Sequence, residues 1–230
     1  MDFSELENKI GLTFKDQNLL KTAFIHRSYL NEHPEEKLPN NERLEFLGDS
    51  VLGFIISNYL YEKYPRNPEG DLTNFRSSIV NAKTLAEASG NLGLGEFLFL
   101  SKGEEATGGK ERQYILANTY ESLLGAIYLD QGIDAASKFV DKTLIPKLSV
   151  IIEKKLYKDF KSKLQEASQA NHNVTPSYKL VSETGPDHSK VFETGAYLGQ
   201  KLLAKGKGAS KQAAEQEAAK SALEKLDKLS

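Results

Sequence analysis

Apolar residues recur at three- and four-residue intervals through the first two thirds of the chain, whereas strand-like runs appear only in the last third. Phe3, Leu6 and Ile10, then Leu19, Leu20, Ala23 and Phe24, predict two short helices separated at Gly11. A polar loop from Asn31 to Pro39 follows, and Asn40 or Asn41 can cap the next helix. That helix carries Leu44, Leu47, Val51, Leu52, Ile55 and Tyr59 on one side and stops at Tyr64, ahead of Pro65. A turn at Pro68 leads into another helix, and helical pattern resumes from Ile79 to Leu92, where Gly93 and Gly95 break it. Ser101 to Gly109 reads as a flexible loop. Helices from Glu111 to Asp130 and from Asp134 to about Ile152 close the series, with Pro146 bending or interrupting the second. No strand pattern precedes residue 150, so this part is predicted to be all-α.

The pattern then changes. Residues 153–158 are a short charged linker, and a helix from Phe160 to Gln169 follows. Tyr178–Thr184 and Val191–Leu198 are rich in β-formers and are joined by a Gly185-Pro-Asp turn. Lys201–Ala204 makes a third short strand, and Lys205-Gly-Lys-Gly-Ala-Ser leads into an alanine-rich helix from Lys211 to Leu226. The prediction is therefore a multidomain chain: an all-α domain over 1–152, the linker, and a small α-β-β-β-α domain over 159–228.

Composition narrows the setting. The 230 residues include no cysteine, which excludes disulfides and thiolate zinc sites. No apolar run reaches the eighteen or so residues of a membrane span, and the first eleven residues are acidic where a secretory signal is basic and then apolar. A cytoplasmic protein with no membrane partner is the simplest reading. The net charge of −2 hides a split. Residues 1–153 carry 16 Lys and Arg against 23 Asp and Glu, while residues 154–230 carry 14 against 9. An acidic part suited to cations precedes a basic part suited to phosphates.

Within the long helix, Glu42, Glu45 and Asp49 stand at i, i+3 and i+7, inside an arc of about 60°. Like charges at this spacing weaken a helix, and a bound cation removes the repulsion. A solvated acidic face has the same spacing. Asn118 and Glu121 form a second i, i+3 pair on the later helix.

The wording is more specific than the spacing. Glu42-Arg-Leu-Glu-Phe-Leu-Gly-Asp-Ser50 resembles the signature of the ribonuclease III family of double-stranded RNA endonucleases. Thr22–Leu30, the Asn67–Thr73 turn and Asn118–Asp130 resemble its other segments, and residues 159–228 resemble a double-stranded RNA-binding domain. The resemblance implies an Mg²⁺-dependent homodimeric endonuclease, with Mn²⁺ able to substitute, that leaves 5′-phosphate and 3′-hydroxyl ends during ribosomal and messenger RNA processing. It implies Glu45, Asp49, Asn118 and Glu121 as metal ligands, Asp49 and Glu121 among them as catalytic, and Glu42 and Glu69 as accessory acids of the cleft. His26 is read as a packed histidine and not as a catalytic base. Gln165 and Glu166 would meet one minor groove and His188 the next, while Lys205, Lys207 and Lys211 hold phosphates.

The chain departs from the family pattern at Asn118, where an aspartate is usual. A carboxamide oxygen ligates Mg²⁺ but brings no charge. That leaves a second reading open, a catalytically weakened or inactive RNA-binding regulator. The charge split itself makes a prediction. Duplex RNA binding should weaken steeply with salt, because neutralised phosphates release counterions. Deleting residues 154–230 should flatten that slope and raise the concentration needed for binding, as measured by gel shift across a salt series. An unchanged affinity and slope would place the phosphate contacts elsewhere.

Overall fold

The computed structural model describes residues 2–153, 160–186 and 190–227. The chain divides into two compact units, Met1–Tyr157 and Lys158–Ser230. His188 and the expected linker after Glu153 lie outside the described residues.

The first unit is helical, as its periodicity predicts. Its elements are α1 (Ser4–Ile10), α2 (Gln17–Ala23), α3 (Arg27–Glu32), α4 (Glu42–Lys63), α5 (Glu69–Ile79), α6 (Ala82–Leu92), α7 (Lys102–Ala106), α8 (Gln113–Gln131), α9 (Ile133–Thr143) and α10 (Ile145–Glu153). Two short 3₁₀ turns, Leu94–Phe97 and Gly109–Glu111, flank α7. A single parallel bridge pairs Ile25 with Phe99 and ties the start of α3 to the segment before α7.

At the centre, α8 is buried almost all round: Ile115, Tyr120, Leu123, Leu124, Ala126 and Ile127 are all in the core. Helix α4 packs along it, burying Leu44, Val51, Leu52, Ile55, Ile56 and Leu60. Two glycines set how close these helices come. A Cβ at Gly48 would overlap the carbonyl of Glu121, and one at Gly125 would overlap the carbonyl of Leu44. Backbone meets backbone at both places, so no side chain fits between them.

The structure decides between the two cap candidates and corrects other expectations. Asn40 Oδ1 takes the Glu42 N–H (3.3 Å) at the start of α4. Asn41 is buried and donates its Nδ2–H to the Ala23 carbonyl instead (3.3 Å). Helix α6 starts at Ala82 and not at Ile79, because Asn81 turns extended and caps it by accepting from Thr84 N–H (3.1 Å). The expected flexible loop over Ser101–Gly109 contains α7. Ser101 Oγ caps that helix, the Lys102 N–H donates to Glu32 (3.0 Å), and Glu104 pairs with Arg112. The helix expected from Asp134 to Ile152 is two helices broken at Leu144. Pro146 supplies the cause, since it has no N–H for the turn before it and fits the first turn of a new helix.

The second unit has α11 (Phe160–His172), β1 (Pro176–Thr184), β2 (Val191–Leu198), β3 (Lys201–Gly208) and α12 (Lys211–Asp227), in the predicted order. The strands form an antiparallel sheet in the order β1-β2-β3. Helix α12 packs on β2 and β3, and α11 packs on β1 and α12. The core is small and alanine-rich, built from Leu164, Ala196, Ala204, Ala218, Ala219 and Ala222. The Lys-Gly-Lys-Gly stretch, expected as a loop after the third strand, is the end of β3 itself. Alternation along it points Ala204 and Gly206 inward and Lys205 and Lys207 outward. A Cβ at Gly206 would strike the backbone of α12.

The glycine contact between α4 and α8 yields a direct test. Gly48→Ala should cost about 1–3 kcal/mol, the usual range for overpacking a filled interface. Thermal denaturation should show it as a lowered midpoint. Gly53→Ala on the same helix, where an added Cβ meets nothing within 4 Å, should be neutral or stabilising by comparison.

Candidate active site

Because Gly48 and Gly125 let the two helices touch, residues within two turns of these glycines face the same space. Glu45 and Asp49 on α4 and Asn118 and Glu121 on α8 line one open cavity of about 640 Å³. Glu42, His26, Arg27, Asn41, Phe46, Tyr114 and Ile115 complete its wall. The two signature segments, some seventy residues apart in sequence, thus form a single site.

The electrostatics are those of crowded acids. Burial, together with the Asp49 and Glu45 charges, pushes the Glu121 carboxyl up to about 7. Glu45 is also raised, first by burial and then by Glu42, while a hydrogen bond from the Asn118 side chain pulls it back down. A carboxamide at 118 can donate through Nδ2 toward Glu45 and still offer Oδ1 as an acceptor. An aspartate at 118 would instead add a like charge beside Glu45.

Among the described residues, no three His, Asp or Glu side chains gather tightly enough to hold one ion between them. The acids surround a cavity and not a point. That donor set fits an ion such as Mg²⁺, which takes one or two carboxylates and keeps several waters, better than a cation caged wholly by protein.

Not every residue singled out in the sequence reaches this cavity. Glu69 begins α5, just after the C-terminal end of α4, and lines a separate depression with Ser57, Tyr61, Thr73 and Arg76. It accepts a hydrogen bond from Thr73 Oγ1 (2.8 Å). The reason is length: the eighteen residues from Glu45 to Lys63 span about 27 Å of helix. Glu42 does line the cavity, 3.7 Å from Arg27.

Conversely, His26 and Tyr114 were not read as site residues from sequence. Burial holds the His26 imidazole below its ordinary pKa, against the pull of Glu104 and Glu42 and with Arg27 adding to the depression. Tyr114 is half exposed at the rim, where Arg112 Nη1 donates to its hydroxyl (3.4 Å). Tyr114, Asn118 and Glu121 are spaced i, i+4, i+7, and that spacing alone could have signalled Tyr114. Nothing local places residue 26.

In the second unit, Gln165 and Glu166 are exposed on α11 beside Ser162 and Gln169. Lys205 and Lys207 project from β3, and Lys211 opens α12, which Ser210 caps by accepting from Ala213 N–H (3.1 Å). Lys205 lies 4.0 Å from Glu193.

Comparison with known proteins agrees with this layout. Residues 16–148 match the family described as Ribonuclease-III-like, and residues 160–226 match the double-stranded RNA binding motif. Ribonuclease 3 of Streptococcus gordonii is 50% identical over 96% of this chain and 94% of the relative. The chain belongs to the ribonuclease III family. Ribonuclease 3 of Streptococcus pneumoniae is 46% identical over the same share of each chain. The solved nuclease domain of ribonuclease III from Campylobacter jejuni covers 64% of this chain and 95% of its own, at 38% identity and a TM-score of 0.58. A second structure of that domain, at 39% identity and a TM-score of 0.57, is described as flexible in a region involved in dimer formation. Among the described residues of this chain, no helix is long and apolar enough to cross a membrane.

The raised Glu121 predicts a pH dependence. The folded protein holds a proton on this carboxyl where the unfolded chain has released it, so stability falls as pH rises from about 4.5 to about 7. In chelator, Glu121→Gln should therefore raise the melting midpoint at pH 8 relative to wild type, and the advantage should vanish near pH 4. A midpoint difference that is the same at both pH values would mean that Glu121 titrates normally.

Proposed function

We propose that this chain cuts double-stranded RNA, with a divalent cation held in the cavity of Glu45, Asp49, Asn118 and Glu121, partly through water, and the duplex gripped by the second unit. The observation that carries the reading is the meeting of the two signature segments at one acidic cavity. Bound there, Mg²⁺ would supply the positive charge that the cavity lacks and make water a better nucleophile toward a phosphodiester. Glu121 holds a proton near neutral pH while no cation is present, and cation binding would release it. Asn118 offsets part of the rise in Glu45 proton affinity without adding a charge. Lys205, Lys207 and Lys211 bring the phosphate backbone to the protein, and Gln165 and Glu166 offer groups to a minor groove. Processing of structured ribosomal and messenger RNA precursors is the role that fits, with Mn²⁺ able to replace Mg²⁺.

We further propose a homodimer. On α4, Phe46, Phe54 and Tyr61 are 78%, 61% and 74% exposed and lie within an arc of about 80°. Beside Phe46 a second cavity of about 760 Å³ opens, walled by Leu19, Leu38, Pro39, Leu44, Leu47 and Leu129. An exposed aromatic stripe next to an unfilled apolar cavity suits a self-complementary two-fold contact. A two-fold axis across α4 sets the two copies of that helix antiparallel. Each protomer's Glu69 end then approaches the other's cavity, which gives Glu69 its place as an accessory acid.

Asn118 favours the rival reading, an RNA-binding regulator with an inactive nuclease fold. Cleavage of a long duplex across a Mg²⁺ titration separates the two. Wild type should cleave, and Glu121→Gln should lose about a hundredfold or more in rate while keeping gel-shift affinity. Asn118→Asp should lower the Mg²⁺ needed for half-maximal cleavage several-fold, as a net gain of about 1 kcal/mol would give. In chelator the same variant should melt below wild type, since it exchanges a hydrogen bond to Glu45 for a repulsion. A wild type inactive at every Mg²⁺ concentration would support the regulator.

A further inference from the structure

His26 is held in an unusual way for a cavity-wall histidine. It is the residue ahead of α3, with extended backbone, and its Nδ1 accepts the Ser28 N–H at 3.3 Å. Ser28 Oγ lies 2.8 Å from the same nitrogen and itself accepts the Ser101 N–H at 3.1 Å. A backbone N–H can only donate, so Nδ1 is the acceptor and the ring proton sits on Nε2. The chain of donors runs Ser101 N–H to Ser28 Oγ–H to His26 Nδ1. Protonating Nδ1 would break this cap, so the geometry favours the neutral ring.

The cavity that His26 lines is rich in acceptors and poor in donors. Glu42, Glu45, Asp49 and Glu121 all repel a phosphate. Asn41 spends its amide on the Ala23 carbonyl, and the Asn118 side chain acts on Glu45. Arg27, 3.7 Å from Glu42, and the Tyr114 hydroxyl are further donors, both at the exposed edge of the wall. Among the described residues, His26 Nε2 has no protein acceptor.

We infer that His26 contacts the substrate: its Nε2–H donates to a non-bridging phosphate oxygen of the RNA strand in the cavity, fixing that strand against the acids. The inference rests on the reading of this cavity as the cleavage site. A neutral donor suits the position, because a cation there would pair with Glu42 or Glu104 and be lost to the substrate.

Two near-isosteric substitutions separate the two nitrogens. Asparagine places Oδ1 where Nδ1 sits, keeping the cap and removing the distal donor. Glutamine places an N–H near Nε2 and gives up the cap. His26→Asn should therefore melt within about a degree of wild type yet cleave bound duplex about tenfold more slowly in single turnover, the scale of one hydrogen bond to a charged group. His26→Gln should melt several degrees lower, as a lost cap does, but cleave within about threefold of wild type when assayed well below its midpoint. Gel-shift affinity should stay within about twofold for both, since the second unit carries most of the binding. The inference needs Gln above Asn in cleavage and Asn above Gln in melting temperature, and any other order overturns it. Glu121→Gln run alongside isolates the assumption beneath it. If that variant still cleaves, the assignment of the cavity fails and not the role of His26 alone.

Discussion

The acidic cavity of the first unit depends on how closely α4 and α8 approach. At Gly48 and Gly125 there is no room for even a methyl group between one helix and the carbonyls of the other. Ordinary helix pairs lie 8–10 Å apart, the larger separations being set by larger side chains at the contact. Removing those side chains at two points brings Glu45 and Asp49 within electrostatic reach of Glu121. The surrounding core, with Leu44, Leu52, Ile56, Leu123 and Ile127 buried, then fixes the helices at that separation. Smaller polar links hold the entry to the site. The carbonyl of Ala23 at the end of α2 accepts from both Asn41 Nδ2 and Ser122 Oγ (2.7 Å), which joins α2, α4 and α8 at one buried atom.

That rigidity has an electrostatic cost. Half-buried carboxylates with no countercharge are unfavourable, and the structure shows the consequence as raised proton affinities at Glu45 and Glu121. A site in this condition is strained toward binding positive charge, either a proton or a cation. Asn118 moderates the strain. Its amide supports Glu45 where a fourth carboxylate would oppose it, so the metal-free fold is easier to hold while the pull on a cation is weaker.

The second unit solves a different problem with the same device. Its core is mostly alanine, so the helix and sheet must sit close to exclude water, and Gly206 and Gly208 let β3 press against α12. Strand alternation then sends Lys205 and Lys207 to the other side, away from the core. The packing requirement and the presentation of the lysines are two faces of one short sequence, Lys-Gly-Lys-Gly.

How much of this could be read along the chain follows from the range of the forces involved. Helix α4 with its cap region and stop, the order of elements in the second unit, and the two acidic pairs are local properties. Each depends on residues within a turn or two, and the apolar period and the signature wording carry them. The break at Leu144 was half legible, since Pro146 is visible but whether it bends or splits a helix depends on what the flanking turns pack against. The order within Ser101–Gly109 was hidden, because its glycines suggest freedom while its ties run to Glu32 and Arg112 in other segments. His26 entered the site only through tertiary structure. Its bond from Ser28 is local, but the bridge from Ile25 to Phe99 and the Ser101 N–H to Ser28 set that segment in place. Glu69 shows the reverse. Its acidic character is plain in the sequence, and only the rigid length of α4 keeps it away from Glu45 within one chain.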